Sequence, residues 1–186
     1  MPDPRMSDPR MPGRGPLYAF EGVMPTVAAD AFVAPSAAVI GDVAIGAQSG
    51  IWFHCVLRGD TNIIRIGARS NIQDGTIIHV NSGSFPTLIG DDVTVGHACI
   101  IHACTLHHRA FVGMGATVLD GAVIEEGGML AAGALLTPNK RIGPNELWSG
   151  SPAKLWRVMD AEERAKFDRT ALHYVELAAR MRVGLS

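Results

Sequence analysis

Aliphatic residues recur at six-residue intervals along most of this chain. Such a period matches neither the helical period of about 3.6 residues nor the two-residue alternation of a half-buried strand. It is typical of a parallel β-helix, in which each coil takes three six-residue units and presents three flat faces. The pattern therefore predicts an all-β, three-sided solenoid from about residue 27 to 148. The repeating residues are Val27, Val33, Val39, Ile45, Ile51, Leu57, Ile66, Ile72, Ile78, Ile89, Val95 and Ile101, then, one place out of phase, Leu106, Val112, Val118, Ile124, Leu130, Leu136 and Ile142.

The period lengthens at two places, which indicates where residues are inserted between faces. The step from Leu57 to Ile66 is nine residues, and the step from Ile78 to Ile89 is eleven. If each step is one six-residue unit plus an insertion, Ile66 begins a coil on face one and Ile78 ends it on face three. Ile89 then begins the next coil.

Two histidines and an arginine are predicted to stack in a column on face three. His79 directly follows Ile78, and His102 directly follows Ile101, so both take the first position after a buried aliphatic residue. Neighbouring coils place them about 4.8 Å apart. Arg58 takes the same position in the coil below.

A second column is predicted on face two, where His97 lies two places after Val95 and Asp74 lies two places after Ile72. Adjacent faces of a prism point in different directions, so one subunit is not expected to bring His97 to the face-three histidines. In a threefold oligomer with face three of one subunit against face two of the next, His97 meets that pair and Arg58 meets Asp74. Three neutral imidazoles with an open fourth position form the ligand set of a catalytic zinc site. We therefore predict a metal centre between subunits.

Other polar residues have simpler interpretations. The Arg58–Asp74 contact is compatible with an interface salt bridge as well as with a place in the site. The remaining histidines do not share the two columns, and we interpret them as surface or interface residues: His54, His107, His108 and His173.

Short motifs along the solenoid resemble those of the gamma-class carbonic anhydrases, in family order and at family spacing. The resemblance covers about residues 27 to 154 and is closest to the short-loop form of the family. It implies a left-handed β-helix, a homotrimer and a metal at each of three interfaces, with Zn²⁺ the usual metal and Fe²⁺ or Co²⁺ as alternatives. The motifs are Arg58-Gly59-Asp60, Asn71-Ile72-Gln73-Asp74, His79, Gly96-His97 and His102.

The resemblance also implies roles for four further residues. Arg58 and Asp74 pair across the interface, Asp60 belongs to the network near the metal, and Gln73 orients the metal-bound water or bicarbonate. The implied reaction is the reversible hydration of carbon dioxide to bicarbonate by a metal-bound hydroxide, available because zinc lowers the pKa of its water to about 7.

One departure from the family bears on rate. The best-studied active members carry a glutamate directly after the Arg-Gly-Asp segment and an acid on the loop before the second histidine. Here those places hold Thr61 and the short loop 81–86, which contains no acidic residue. Without a proton shuttle, direct release to water limits turnover to on the order of 10³ s⁻¹, so we expect a slow, buffer-dependent enzyme.

Composition limits the setting. The 186 residues carry 16 basic and 18 acidic side chains, which gives no electrostatic footprint for nucleic acid or an anionic membrane. Residues 1–16 lack an apolar run, and we expect a flexible tail rather than a signal peptide. Cys55, Cys99 and Cys104 form no metal-binding pattern, which suggests reduced packing thiols in a cytoplasmic protein.

The pattern changes near the C-terminus. We assign residues 17–154 to the solenoid, with a turn at 149–154 that leaves it, and residues 155–186 to a helix packed on it. Asp160 and Glu163 resemble a capping box that opens a helix extending to about Arg182. Tyr174 resembles a family tyrosine that can approach the site, although a packing role is the alternative. The apolar helix positions are Phe167, Ala171, Leu172, Val175, Ala178, Ala179 and Val183.

Two other functions stay open at this point. Acyl transfer is common on hexapeptide β-helices, so an acyltransferase or acyl-CoA thioesterase is one alternative, although a fold alone says little about chemistry. A catalytically weak trimeric scaffold or metal-binding protein is the other.

Overall fold

A computed structural model describes residues 15–185 of the chain, and most of the predicted N-terminal tail lies outside this range. The described chain is a left-handed parallel β-helix of about seven turns followed by one helix. At the start of this range, the Gly15 N–H donates to the carbonyl of Val33 at 2.7 Å. No helix within residues 15–185 is long and apolar enough to span a membrane.

Residues 15–185 contain twenty strands, most of them two or three residues long, followed by helix α1. In chain order these are β1 (Leu17–Tyr18), β2 (Thr26–Val27), β3 (Phe32–Val33), β4 (Ala38–Ile45), β5 (Gly50–Ile51), β6 (Val56–Ile66), β7 (Asn71–Ile72), β8 (Ile77–His79), β9 (Thr87–Ile89), β10 (Thr94–Val95), β11 (Ile100–His102), β12 (Thr105–Leu106), β13 (Phe111–Val112), β14 (Thr117–Val118), β15 (Val123–Ile124), β16 (Met129–Leu130), β17 (Leu135–Leu136), β18 (Arg141–Ile142), β19 (Glu146–Gly150), β20 (Ala153–Val158) and α1 (Ala161–Gly184).

The strands form two sheets rather than three. Face two is an eight-stranded sheet ordered β20-β19-β16-β13-β10-β7-β5-β3. Faces one and three are joined into a twelve-stranded sheet because β4 and β6 are long enough to bend from one face to the other. The nine-residue step between Leu57 and Ile66 therefore lies within a continuous strand. Gly41 allows the two long strands to approach, since a Cβ there would lie 2.3 Å from the carbonyl oxygen of Gly59.

The six-residue repeat forms the core of the solenoid. Every repeating aliphatic residue predicted from the sequence is buried except Val27 in the first coil, which is partly buried. Stacked aliphatic side chains thus fill the interior, and the intervening residues point outward or form the corners. This arrangement fixes the direction of each outward side chain beside the core.

The C-terminal end of the solenoid contains a strand that the sequence did not predict. Pro152 lies in the turn after β19, as expected for a residue that cannot donate to a ladder. The chain then returns as β20, antiparallel to β19, with Glu146 opposite Val158. Apolar Leu155, Trp156 and Val158 on this edge strand remain exposed.

Helix α1 begins at the predicted N-cap, Asp160, and packs on face two, against β3, β5 and β7. The Asp160 carboxylate accepts a hydrogen bond from the Glu163 amide at 2.8 Å. The Glu163 carboxylate is bound by Arg157, a residue of β20.

The buried side of α1 differs in part from the prediction. Ala171 and Ala178 face the sheet as expected, but Leu172 and Val183 are 56% and 86% exposed, and Ala179 is exposed as well. The small alanines let the helix lie close to the strands, and this turns the larger aliphatic residues outward. Arg164 is buried instead.

Arg164 is held by an ionic network that joins the helix to the solenoid. Its guanidinium bonds the Asp168 carboxylate at 2.7 Å and the carbonyl of Gly127 at 3.1 Å. Arg109, on the solenoid, also bonds Asp168, at 2.8 Å. The buried arginine therefore has partners for its charge and its donors.

Candidate metal centre

His79 and His102 lie side by side on face three. They end the paired strands β8 and β11, and the register sets His102 directly opposite His79. The preceding Ile78 and Ile101 are fully buried, so the two imidazoles point outward from the sheet. His79 Nδ1 and His102 Nε2 are 3.1 Å apart. The column predicted from the six-residue spacing is thus present.

The outer nitrogen of each imidazole contacts a carboxylate. His79 Nε2 lies 3.0 Å from Asp60 Oδ1, and His102 Nδ1 lies 2.5 Å from Asp120 Oδ1. Partial burial acts to raise the pKa of both carboxyls. Hydrogen bonds outweigh it: His79 and the Thr61 amide lower the pKa of Asp60, and Asn81 and His102 lower that of Asp120. Both residues are therefore carboxylates at neutral pH, and carboxylates only accept hydrogen bonds.

This pairing determines what the two inner nitrogens can do. When the outer nitrogens donate to Asp60 and Asp120, the inner nitrogens of the neutral imidazoles both carry lone pairs. Two lone pairs facing each other across 3.1 Å repel unless a cation lies between or beside them. Two nitrogens bound at about 2.05 Å to one tetrahedral ion are separated by about 3.3 Å, close to the observed distance. The donor set therefore fits a metal ion such as zinc.

His97 lies on the other sheet. It follows β10 on face two, and its Nδ1 is 2.9 Å from Asp74 Oδ2 in the coil below. Among residues 15–185 of one chain, no group of three or more His, Cys, Asp or Glu side chains converges in a metal-binding arrangement. A single subunit thus offers a two-histidine pair on face three and a separate histidine on face two.

Arg58 and Asp74 are on different faces, as the spacing predicts. Within the chain Arg58 is bound to the carboxylate of Asp60, two residues away. Asp74 accepts a hydrogen bond from the amide of Phe53 at 3.3 Å, besides its contact with His97. The predicted contact between Arg58 and Asp74 is not made within one subunit.

Gln73 is held in a row of polar side chains on face two. It is 5% exposed, and its Nε2 donates to Asn71 Oδ1 at 3.0 Å. Asn71 donates in turn to Thr94 Oγ1, also at 3.0 Å. The Gln73 amide is therefore fixed in orientation beside the column that contains Asp74 and His97.

Asp120 and Asn81 are site residues that the sequence analysis missed. Asp120 comes 18 residues after His102. Three six-residue units amount to one coil, so this spacing was the available signal. Asn81 lies in the short loop after β8, and its Nδ2 donates to Asp120 Oδ2 at 2.6 Å.

The three cysteines and the four other histidines do not have the features of metal ligands. Cys55, Cys99 and Cys104 are free and buried, and burial raises the pKa of Cys55 to about 12 and of Cys99 to about 11. Such thiols stay protonated at neutral pH, which suits packing rather than ligation. The histidines interpreted as surface residues are all exposed: His54, His107, His108 and His173.

Tyr174 of α1 has features of both roles that the sequence left open. Its ring packs edge-on against Trp52 with 5.2 Å between centroids. Burial, and then the negative charge of Asp74, raise its pKa. The tyrosine is thus a packing residue that also lies in the field of the face-two column.

A cavity of about 280 Å³ lies beside residues 59–63 of β6. Asp60 and Thr61 line one side of it, and Phe20 and Glu21 of the N-terminal turn line another. Asp60 also contacts His79, so this one residue links the cavity to one histidine of the pair.

No family model matches the chain, but curated proteins and solved structures are similar to it over most of its length. It is 53% identical over 159 residues to the mitochondrial gamma carbonic anhydrase 2 of Arabidopsis thaliana, covering 83% of this chain but only 57% of that protein. It is 44% identical over 160 residues to a carbonic anhydrase of Geobacillus kaustophilus, covering 86% of this chain and 87% of that one. A crystal structure of a Bacillus cereus protein described as a putative acetyltransferase superposes with a TM-score of 0.88 at 41% identity, covering 90% of this chain and 96% of that one.

Proposed function

Because this chain belongs to the gamma-class carbonic anhydrase family, we propose that it catalyses the reversible hydration of carbon dioxide to bicarbonate at a metal centre. His79 and His102 of one subunit and His97 of its neighbour would hold the metal, with zinc expected and ferrous iron or cobalt as alternatives. The observation that carries the proposal is the pair of imidazole nitrogens 3.1 Å apart, each backed by a carboxylate on its far side.

The proposed homotrimer is supported by the matching character of the two faces. On face two, the column runs from Asp74 through His97 to Met114, which is 59% exposed. On face three, the column runs from Arg58 through the histidine pair to Leu119. If the two columns pack against each other, Asp74 lies opposite Arg58, His97 lies opposite the histidine pair, and Met114 lies opposite Leu119.

Exposed isoleucines beside the histidines support the same interface. Ile77 and Ile100 point outward on face three, two residues before His79 and His102, and are 47% and 45% exposed. Adjacent β-branched apolar side chains on a flat sheet form a surface that gains from being covered. A neighbouring subunit would cover it and shield the metal ligands from water.

Residues already fixed in the chain would supply the rest of the site. Bound zinc would supply Lewis acidity that lowers the pKa of a water in its open position to about 7. The Gln73 amide, oriented by Asn71, can accept from or donate to a small polar substrate without reorganising. Arg58 neutralises Asp60, and Asp60 in turn orients His79.

One other function has specific support. The Bacillus cereus structure at 41% identity is described as a putative acetyltransferase, and acyl transfer to or from a coenzyme A thioester is therefore the second candidate. A non-catalytic trimer that only binds metal is the remaining alternative.

Stopped-flow measurement of carbon dioxide hydration on freshly zinc- or iron-loaded protein tests the proposal. We expect one metal per subunit and hydration above the rate of buffer alone. Thioester hydrolysis or acetyl transfer from acetyl-CoA without hydration would favour the second candidate. Bound metal with neither activity would favour the non-catalytic metal-binding trimer.

A further inference from the structure

Resting on the metal centre proposed above, we propose that Asp120, held by Asn81, is a positioning residue that fixes the ring orientation and tautomer of His102. The Nε2 lone pair of His102 would then point to the metal position before the metal arrives. Neither Asp120 nor Asn81 belongs to the motif set that identified the site.

The position of Asp120 follows from the regularity of the coil. It lies in the turn between β14 and β15, one coil above His102. Its side chain reaches down to the imidazole, with 2.5 Å between Oδ1 and Nδ1. The side chains of Asp120 and His102 are 28% and 30% exposed, so the pair is partly shielded from water within one subunit.

Asn81 controls which oxygen of Asp120 is free for the histidine. Its Nδ2 donates to Oδ2 of Asp120 at 2.6 Å, which leaves Oδ1 for His102. Hydrogen bonds also hold the loop that carries Asn81. The backbone carbonyl of Asn81 accepts from Asn62 Nδ2 at 3.2 Å, and the Asn81 amide donates to the carbonyl of Phe85 at 3.2 Å. The short loop therefore has a definite role: it anchors the carboxylate that orients a ligand.

The chemical consequence concerns the proton on the imidazole ring. A carboxylate can only accept, so Nδ1 of His102 must carry the proton and Nε2 must carry the lone pair. Asp60 acts on His79 in the same way, but there Nε2 faces the carboxylate, so Nε2 carries the proton and Nδ1 carries the lone pair. Carboxylates on the far side of ligating histidines fix the tautomer and raise ligand basicity, and their loss typically costs about 10–100-fold in metal affinity.

The test compares zinc affinity across a small set of variants of the full-length protein. Zinc dissociation constants are measured by competition with a chromophoric chelator, together with oligomeric state and thermal unfolding. Asp120→Ala should weaken zinc binding by about 10–100-fold, and Asn81→Ala should weaken it less, because the carboxylate remains. Glu125→Ala is the matched control, since it removes a carboxylate 3.6 Å from His107 on face one and should leave the affinity unchanged.

A reciprocal exchange separates positioning from simple destabilisation. In Asp120→Asn alone, the new amide cannot accept from both Asn81 and His102, because one of its two terminal atoms is now an NH₂ donor. Adding Asn81→Asp restores a donor facing an acceptor, and the amide oxygen at position 120 can then accept from His102. Zinc affinity should recover to within about threefold of the wild type in the double variant.

A second measurement reads the histidine directly. In metal-free protein labelled with ¹⁵N-histidine, NMR should show His102 protonated at Nδ1 in the wild type and a mixture of tautomers in Asp120→Ala. Unchanged zinc affinity together with an unchanged tautomer would overturn the proposal. A wild-type protein that binds no zinc would contradict the proposed function instead, while the tautomer result would still decide whether Asp120 sets the proton position.

Discussion

Replacing the two exposed isoleucines of face three should dissociate the proposed trimer while leaving the subunit folded. Ile77 and Ile100 retain 47% and 45% of their exposure in the single chain. Full burial of an isoleucine side chain contributes about 1.5–3 kcal/mol, so covering the exposed half of both contributes about 1.5–3 kcal/mol at each interface. Three equivalent interfaces give about 4–9 kcal/mol per trimer. The double variant Ile77→Ser/Ile100→Ser should therefore raise the trimer dissociation constant about 10³–10⁶-fold.

Analytical ultracentrifugation of metal-free protein over a range of concentrations measures this change. Leu88→Ser is the matched control, because Leu88 is the outward apolar residue of β9 on face one and is 37% exposed. We expect the control to remain trimeric and the double variant to sediment as a monomer with the circular dichroism of the wild type. A double variant that stays trimeric at the same concentrations as the wild type would refute the assignment of face three to the interface.

Three further outcomes are expected. His79→Ala, His97→Ala and His102→Ala should each abolish stoichiometric metal measured by mass spectrometry, because two neutral ligands rarely hold zinc against buffer; one metal per subunit in any variant would exclude that histidine. The hydration rate should rise with pH through about 7, and it should rise with imidazole concentration because the buffer replaces the missing proton shuttle. Thr61→Glu, which places an acid in the cavity beside Asp60, should raise turnover in dilute buffer. A rate independent of buffer would reveal another proton acceptor. Partial burial acts to raise the pKa of Asp168, but hydrogen bonds from Arg109 and Arg164 lower it. This carboxylate therefore stabilises the fold at neutral pH, and its contribution is lost as the pH falls below about 4. In urea unfolding, the loss of stability between pH 7 and pH 3 should be smaller in Asp168→Asn than in the wild type, and an equal loss would contradict this.

Much of the fold could be predicted because the six-residue repeat constrains both the buried and the outward positions. Once Ile78 and Ile101 were assigned to the core, the stacking of His79 and His102 followed from the spacing alone. The continuity of β6 through its insertion did not follow, because sequence spacing reports an insertion without its conformation. That strand joins faces one and three by its own length, and it pairs with β4 at a close approach between Gly41 and Gly59.

The parts that escaped prediction depend on contacts between distant segments. The return strand β20 pairs antiparallel to the solenoid, outside the repeat that the pattern detects. Leu172 and Val183 of α1 were predicted to be buried from helical spacing, but the helix turns Ala171 and Ala178 to the sheet. Asp120 carries no motif, and its 18-residue spacing from His102 indicates only that it lies one coil higher; the bond between the two side chains is what relates it to the site.

Mixed trimers test the central claim, that each site combines His79 and His102 of one subunit with His97 of the next. Trimers made only of His97→Ala subunits have no complete site, and neither have trimers made only of His102→Ala subunits. In a cyclic trimer containing both, one interface joins an intact face three to an intact face two.

The measurement is zinc content and hydration rate after the two variants are refolded together, with mixed trimers verified by native mass spectrometry. Equal random mixing makes roughly three-quarters of the trimers mixed, each with one good site in three, so about a quarter of wild-type metal and activity should return. If all three histidines acted within one subunit, verified mixed trimers would recover neither metal nor activity.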